Sequence, residues 1–487
     1  MKPRELQNLG IPKGELVKLA GRLIAQALQH GMPKAQTRDR LKPIIKTPGE
    51  FIDDHDFGEL AKALIATKDA QRDSHNVYIE RDTPAPWRQW GQDLEPQSVE
   101  QMVNACHLPI AMAGALMPDA HLGYGLPIGG VLATDNAIIP YAVGVDIACR
   151  MKMTVLNLGA NLIKAEPDRL ANAIESETRF GIGSRFQGNQ IREHHVLDQD
   201  WSVSSITEYN KDKAWTQLGT SGSGNHFVEF GVLTLEQPAT ELGLKEGQYL
   251  ALLSHSGSRG CGAQVANHYS KLAMSLHPEL PKHLKHLAWL DLDSEAGNEY
   301  WLAMNLMGDY AQANHDMIHK HIAQTLKADI VAEVENHHNF AWKEVHLVPP
   351  PDGSDPETQG ERREVIVHRK GATPAGDGVL GVIPGSMADP AYIVRGKGCE
   401  ASLRSASHGA GRIMSRTKAK QSFTWSSVNK LLKERGVTLL SAGIDEVPGV
   451  YKNIDEVMAQ QSDLVEIVAR FDPKIVKMAQ AGERPED

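Results

Sequence analysis

The strongest constraint on the fold is the way glycine and proline cut the apolar residues of this chain into short runs. With 43 glycines and 26 prolines in 487 residues, segments such as 110–117, 126–132 and 137–145 are apolar but soon meet a turn-forming or polar position. Runs this short make poor helices and read as buried strands. The segments 225–230, 249–253, 364–367 and 437–440 share that texture. Helical spacing is found at 167–177, where Pro167 suits a first helical position, and at 302–326, 428–434 and 454–458. There is no regular strand–helix alternation and no internal repeat. The expected class is therefore α+β, a glycine-punctuated β core surrounded by helices.

Hydrophobic content of 41% and charged content of 23% lie near the globular averages of about 45–50% and 25%, which excludes wholesale disorder. The 51 basic and 61 acidic residues give a net charge of −10, so the surface as a whole is not a nucleic-acid binder, although a local basic groove fits. Residues 1–50 are the exception, with ten Lys/Arg against four acids. There Leu16, Leu19, Leu23 and Ala27 predict a helix that stops before Gly31. It reads as a solvated appendage helix or as an RNA-guiding arm. A proline-rich break at Thr83-Pro84-Ala85-Pro86-Trp87 predicts a boundary, with an appendage over 1–83 and a catalytic body over 84–487. Pro349-Pro350-Pro351 opens a polar stretch, to Glu361, that reads as a surface loop. Four cysteines without CxxC spacing suggest a reducing compartment. Neither a signal core nor an apolar run near 18 residues is present, so the expectation is a cytoplasmic protein without membrane spans. A monomer is the default.

Candidate chemistry sits at predicted strand ends. Asp146 precedes Cys149 by three residues after a buried run, so both side chains can turn towards one metal pocket. His226, His255, His338 and His408 lie beside Asn, Gly or Ser. Carboxylate, thiolate and imidazole are the usual ligands of divalent metals, but these spacings match no zinc-finger template. Taken singly, each reads equally as a satisfied core histidine or an inert buried cysteine. His315 and His319 imitate a zincin helix, yet the acid between them is Asp316, a methylene shorter than the usual Glu, and an ordinary packed helix is the better reading. The glycine-rich turns 254–260 and 408–412 each end beside an arginine, the chemistry of an anion nest. Neither fits a P-loop or a dinucleotide fingerprint.

The strings MPDAHLGYGLPIGGV (117–131), VGVDIAC (143–149), GNHFVE (224–229), SHSGSRG (254–260), HHN (337–339), RKGAT (369–373), PGSM (384–387) and HGAGR (408–412) occur in the order found in the RtcB family of RNA-splicing ligases, which this chain closely resembles over about residues 105–478. The resemblance implies the family's fold and a manganese- and GTP-dependent ligase. Such an enzyme joins RNA ends carrying a 2′,3′-cyclic phosphate or 3′-phosphate to 5′-hydroxyl ends. It implies that Asp146, Cys149 and His226 hold one Mn²⁺ and that Cys149, His255 and His338 hold a second. It also implies that His408 is the guanylylated nucleophile and that Asp119 is a further active-site carboxylate near the metals and the RNA phosphate. The guanylate pocket would be built from Asn225, His226, Phe227, Val228, Glu229, His338, Asn339, Pro384, Gly385, Ser386, Met387, His408, Gly409, Ala410, Gly411 and Lys477, with Lys474 a competitor for the last place. By donor softness alone the Cys/His set favours zinc or cobalt; manganese comes from the resemblance. Three positions depart from the family pattern: Ala391 where a guanylate-contacting Ser is common, Leu122 where Gln is common, and Arg150 where Gly is common. A dinuclear metal phosphoesterase that leaves His408 idle, and a catalytically silent RNA-binding relative, are the competing readings. Neither the physiological RNA nor a need for an activating protein follows from the resemblance.

Overall fold

The computed structural model describes residues 5–6, 9–11, 15–75, 77–348 and 360–483. The proline-opened part of the expected surface loop, 349–359, lies outside the described residues. The chain divides into two compact units, residues 1–79 and 80–487. In the first, helices Glu15–Gln29, Lys34–Lys46 and Gly58–His75 bury Leu23, Ile24, Ala27, Leu41, Ile44, Leu60 and Leu64 together. The helix expected before Gly31 is present, but its apolar stripe is covered by two further helices rather than standing alone in solvent.

The second unit is built on strands β1 Trp87–Gln89, β2 Ala111–His121, β3 Ile128–Thr134, β4 Ala137–Ile138, β5 Arg150–Gly159, β6 Phe227–Leu235, β7 Gly247–Ser256, β8 Leu290–Asp291, β9 Ile330–His337, β10 Asn339–Val348, β11 Glu361–Lys370, β12 Ala372–Pro374, β13 Leu380–Pro384, β14 Ala391–Gly396, β15 Ser405–Ser407, β16 Thr438–Ser441 and β17 Val465–Met478. One sheet runs β13-β14-β17-β6-β7-β5-β9, with β16 beside β17; a second runs β1-β2-β3-β11-β10. Helices cover the larger sheet, so the class is the α+β arrangement expected. Side chains alternate across a strand: Leu250 and Leu252 of β7, with Val228 and Phe230 of β6, face the helices Pro167–Glu177 and Glu295–Leu326. Ala251 and Leu253 face the other way.

Strands such as β5, β9, β10, β14 and β17 and the helices Ser205–Gln217 and Arg259–Leu276 have no counterpart in the sequence reading, and two of the expected elements are changed. Of the segment 137–145 only Ala137–Ile138 is strand, because Pro140 sits at the start of the helical turn Pro140–Val143, where its missing N–H costs nothing. The helix expected from 302 begins at Glu295, because the Ser294 side chain caps it by accepting from Gly297 N–H. No helix among the described residues is long and apolar enough to cross a membrane.

Candidate active site

Strand register gathers the first group of residues. Arg150 of β5 pairs with Ser256 of β7 and with His337 of β9, while Phe227 of β6 pairs with His255 of β7. Cys149, His226 and His338 therefore flank strand ends that lie side by side with His255. His338 is also the one residue between β9 of the larger sheet and β10 of the smaller. Cys149 Sγ lies 3.4 Å from His226 Nε2 and 3.1 Å from His255 Nε2, and His255 Nε2 lies 3.3 Å from His338 Nε2. Asp146 Oδ2 is 3.2 Å from His226 Nε2. Ala148, between the acid and the thiol, has a positive φ of 56°, a conformation that costs a non-glycine residue about 1–2 kcal/mol. It is held by its N–H donating to the Asn339 carbonyl at 2.7 Å, and the strained turn brings Asp146 and Cys149 to the same spot.

The tautomers follow from the partners. His226 Nδ1 faces the Ser221 carbonyl at 2.8 Å and His255 Nδ1 the Asn225 carbonyl at 3.2 Å. A carbonyl only accepts, so both Nδ1 atoms carry the hydrogen and both Nε2 lone pairs point into the cluster. Burial pushes His255 down to about 3 and His338 well below the usual histidine range, which keeps them neutral lone-pair donors. Asp146 Oδ1 accepts from Ser258 N–H at 3.0 Å, whereas Oδ2 is buried with no hydrogen-bond partner. Gly257 is required beside it, since a Cβ there would overlap the Asp146 carboxylate. The atoms form two buried triads that share Cys149, one with Asp146 and His226 and one with His255 and His338. Converging lone pairs with an orphaned carboxylate oxygen fit divalent cations.

The second group centres on His408, one residue past β15, with its side chain 16% exposed. Asp119, near the end of β2 and fully buried, accepts from His408 Nδ1–H at 2.7 Å and from the backbone N–H groups of His408 at 3.2 Å and Gly409 at 3.4 Å. Burial alone would raise the Asp119 pKa. The His408 hydrogen bond, the charge of Lys452 and the charges that His408 and His121 take up in acid outweigh it and hold the carboxyl below its usual range. An ionised Asp119 fixes the hydrogen on Nδ1 and leaves the Nε2 lone pair of His408 available, the orienting role of the carboxylate in a catalytic triad. Gly411 (φ +75°) lets the turn close, since a Cβ there would run into the Asp119 carbonyl. The His408 ring lies 4.9 Å from that of His338, so the turn and the Asp/Cys/His cluster are neighbours.

Both groups border one cavity of about 540 Å³. Of the expected guanylate residues, Asn225, Phe227, Glu229, His338, Asn339, Pro384, Gly385, Ser386, Met387, His408, Gly409, Ala410 and Gly411 line it, as does Ala391. His226 and Asp119 do not line it and stand close to lining residues, at Cys149 and His408. Val228 faces the helices. Lys477 is not brought to the cavity: Val476 and Met478 line it, and the alternating side chain between them turns away, donating from Nζ to Glu175 at 2.6 Å. Glu229 is buried, and burial alone raises its pKa well above the usual carboxylate value.

The glycine turns behave differently from the anion-nest reading. Ser258 serves Asp146, and Arg259 is buried with Nε donating to Thr220 Oγ1 at 3.0 Å. Arg412 donates to Glu446 Oε2 at 3.0 Å and to the Asp445 carbonyl at 2.9 Å. The zincin-like pair is satisfied packing: His315 Nδ1 and His319 Nε2 each lie 2.7 Å from Ser254 Oγ, with His315 Nε2 3.0 Å from the Ser256 carbonyl and His319 Nδ1 2.8 Å from Thr154 Oγ1. Cavity residues that sequence reasoning left without a role include Lys370, Arg416 and Glu446. Lys370 is pushed down to about 7 by burial and donates to the Tyr124 carbonyl at 2.6 Å. A lysine directly before the glycine of RKGAT, at the end of a strand, was the available signal.

Residues 101–478 match the family model described as tRNA-splicing ligase RtcB. The RNA-splicing ligase RtcB of Escherichia coli (strain K12) is 33% identical over 413 residues, covering 79% of this chain and 95% of that protein. The tRNA-splicing ligases RtcB of Thermococcus kodakarensis and Nanoarchaeum equitans are 30% and 32% identical, each across 78% of this chain and over 90% and 91% of their own lengths. On the breadth of that match, which takes in both residue groups and the cavity between them, the chain belongs to the RtcB family of RNA-splicing ligases.

Proposed function

We propose that this protein is a GTP- and manganese-dependent ligase that joins RNA 2′,3′-cyclic phosphate or 3′-phosphate ends to 5′-hydroxyl ends. The observation that carries the reading is the oriented His408: an imidazole with one nitrogen tied to a buried Asp119 and the other available, next to a cluster suited to divalent cations. In this reading Asp146, Cys149 and His226 hold one metal and Cys149, His255 and His338 the other. Bound there, the metals supply charge neutralisation for phosphoryl oxygens. His408 Nε2 forms a bond to the α-phosphorus of GTP as the bond to pyrophosphate breaks, while Asp119 stabilises the imidazolium. A 3′-phosphate oxygen of RNA then takes the GMP from His408. Attack of the 5′-hydroxyl oxygen on the activated 3′ phosphorus forms the phosphodiester and releases GMP. A cyclic end is first opened by water, whose oxygen bonds to phosphorus as the bond to the 2′ oxygen breaks, leaving a 3′-phosphate and a 2′-hydroxyl. Incubation with α-³²P-GTP and Mn²⁺ is expected to label the protein on His408, and the label is expected to chase onto RNA bearing a 3′-phosphate. Metal-dependent release of phosphate from RNA without any protein label would move the assignment to a phosphoesterase.

Glu229 supplies a separate prediction. An ionised carboxylate accepts from guanine N1–H and the 2-amino group together, so bound guanine favours the ionised form of Glu229 that burial disfavours. Glu229→Gln is expected to weaken GTP binding by about 10- to 100-fold, the loss of hydrogen bonds to a charged group. It is also expected to raise the melting temperature of the nucleotide-free protein. The sign follows from linkage: a raised folded-state pKa means the native state binds more protons than the unfolded chain, so wild-type stability falls as pH rises above the usual glutamate value of about 4.5. The advantage of the variant should therefore grow from pH 5 to 8 in calorimetry. A variant less stable than wild type at pH 8 would show that Glu229 is not an uncompensated buried acid.

A further inference from the structure

The loop between β2 and β3 carries an aromatic ring to which the scheme above gives no role. Tyr124 stands on the rim of the active-site cavity with 69% of its surface exposed. Its rim neighbours Leu122 and Ile413 are exposed as well. Large apolar side chains left in water around a cavity mouth mark a surface that something covers. The backbone under the ring is firmly held. Leu122 N–H donates to Glu95 Oε2 at 3.0 Å, Gly123 N–H donates to Gln101 Oε1 at 3.0 Å, and the Gly123 carbonyl accepts from Gln101 Nε2 at 2.6 Å. The Tyr124 carbonyl accepts from the buried Lys370 Nζ at 2.6 Å. The ring itself meets His286 edge-on at 5.6 Å, and His286 packs in turn against Tyr141 at 4.6 Å. An aromatic side chain supported from behind and open to solvent is organised for stacking before any ligand arrives.

We infer that Tyr124 is a stacking platform for a nucleobase adjacent to the RNA break, an inference that rests on the RNA-ligase reading. The guanine of GTP has a deeper place at the buried Glu229, which leaves the rim for the polymer. The ends of single strands are where bases splay out and stack on aromatic side chains, and such stacking tolerates any sequence because every base has a π-face. Joining of unrelated RNA ends needs a contact of that kind, one that positions a terminal nucleotide without reading it.

The test uses the full chain with GTP, Mn²⁺ and RNA strands carrying 2-aminopurine at the terminal nucleotide on one or the other side of the break. Tyr124→Ala is expected to raise the KM for RNA about tenfold and to lose the quenching of 2-aminopurine seen on binding to wild type. Labelling of the protein by GTP in the absence of RNA should be unchanged. Tyr124→Phe and Tyr124→Trp, which keep a ring, should stay within about twofold of wild type. Unchanged KM and unchanged quenching in Tyr124→Ala would overturn the inference. So would a parallel loss of GTP labelling, which would mean that the residue only supports the cavity. If wild type joins no RNA, the ligase reading fails on its own, and the quenching comparison, which needs no turnover, still decides whether Tyr124 contacts a base.

Discussion

Replacing His408 with alanine is expected to abolish both the covalent guanylate and RNA joining, by at least about 10⁴-fold, the scale on which removing a catalytic nucleophile acts. Among the described residues no neighbouring group offers the same geometry. His338 and His255 are turned into the Asp/Cys/His cluster, where their Nε2 atoms lie 3.3 Å apart. Lys370 is buried and donates to a backbone carbonyl. The fold should survive, because Asp119 would not be left bare: its Oδ2 keeps the backbone N–H groups of His408 and Gly409, neither of which the substitution removes. The stability cost should then be about 1–3 kcal/mol, the loss of one hydrogen bond to a charged group. Gel electrophoresis after α-³²P-GTP, with circular dichroism melting of the same preparation, checks both halves. Persistent label on a folded variant would refute the assignment of the nucleophile.

What could be read from the sequence, and what could not, follows from how local each signal is. Strand ends were legible because short apolar runs stop at glycine, so Cys149, His226 and His255 could be placed beside sheet edges without knowing which edges adjoin. Their grouping depends on β6-β7-β5-β9 being neighbours, a non-local fact that only the family resemblance anticipated. The bond from Asp119 to His408 spans 289 positions and has no local signature, so the orienting role of Asp119 emerged from the fold. Lys477 shows the opposite difficulty. The family resemblance put it next to the pocket, but side-chain direction in β17 is set by a register irregularity between Pro473 and Ile475, and a shift of one residue reverses every facing. Arg412 and Arg259 looked like phosphate clamps because free guanidinium groups and committed ones read alike in a sequence. Only their acceptors, Glu446 and Thr220, separate the two.

Cys149→Ser is expected to remove both metals, because each triad contains this residue and no other is shared. A serine hydroxyl is a far weaker acid than a thiol and stays protonated at neutral pH, so it offers a neutral oxygen where the cluster needs an anion between two cations. Metal affinity should fall at both positions by more than the 10- to 100-fold typical of losing a supporting residue outside the ligand set. Metal analysis of the gel-filtered variant should then find less than about a tenth of the wild-type manganese, and GTP labelling should be lost with it. Asp146→Asn gives the contrasting case. Asp146 belongs to the triad with His226 alone, so its loss should empty one position and spare the one built by Cys149, His255 and His338. A shared thiolate is supported by total loss in the first variant and half loss in the second. Half loss in both would mean two independent sites with Cys149 in only one of them, and full retention in Cys149→Ser would remove the thiolate from the metal chemistry altogether.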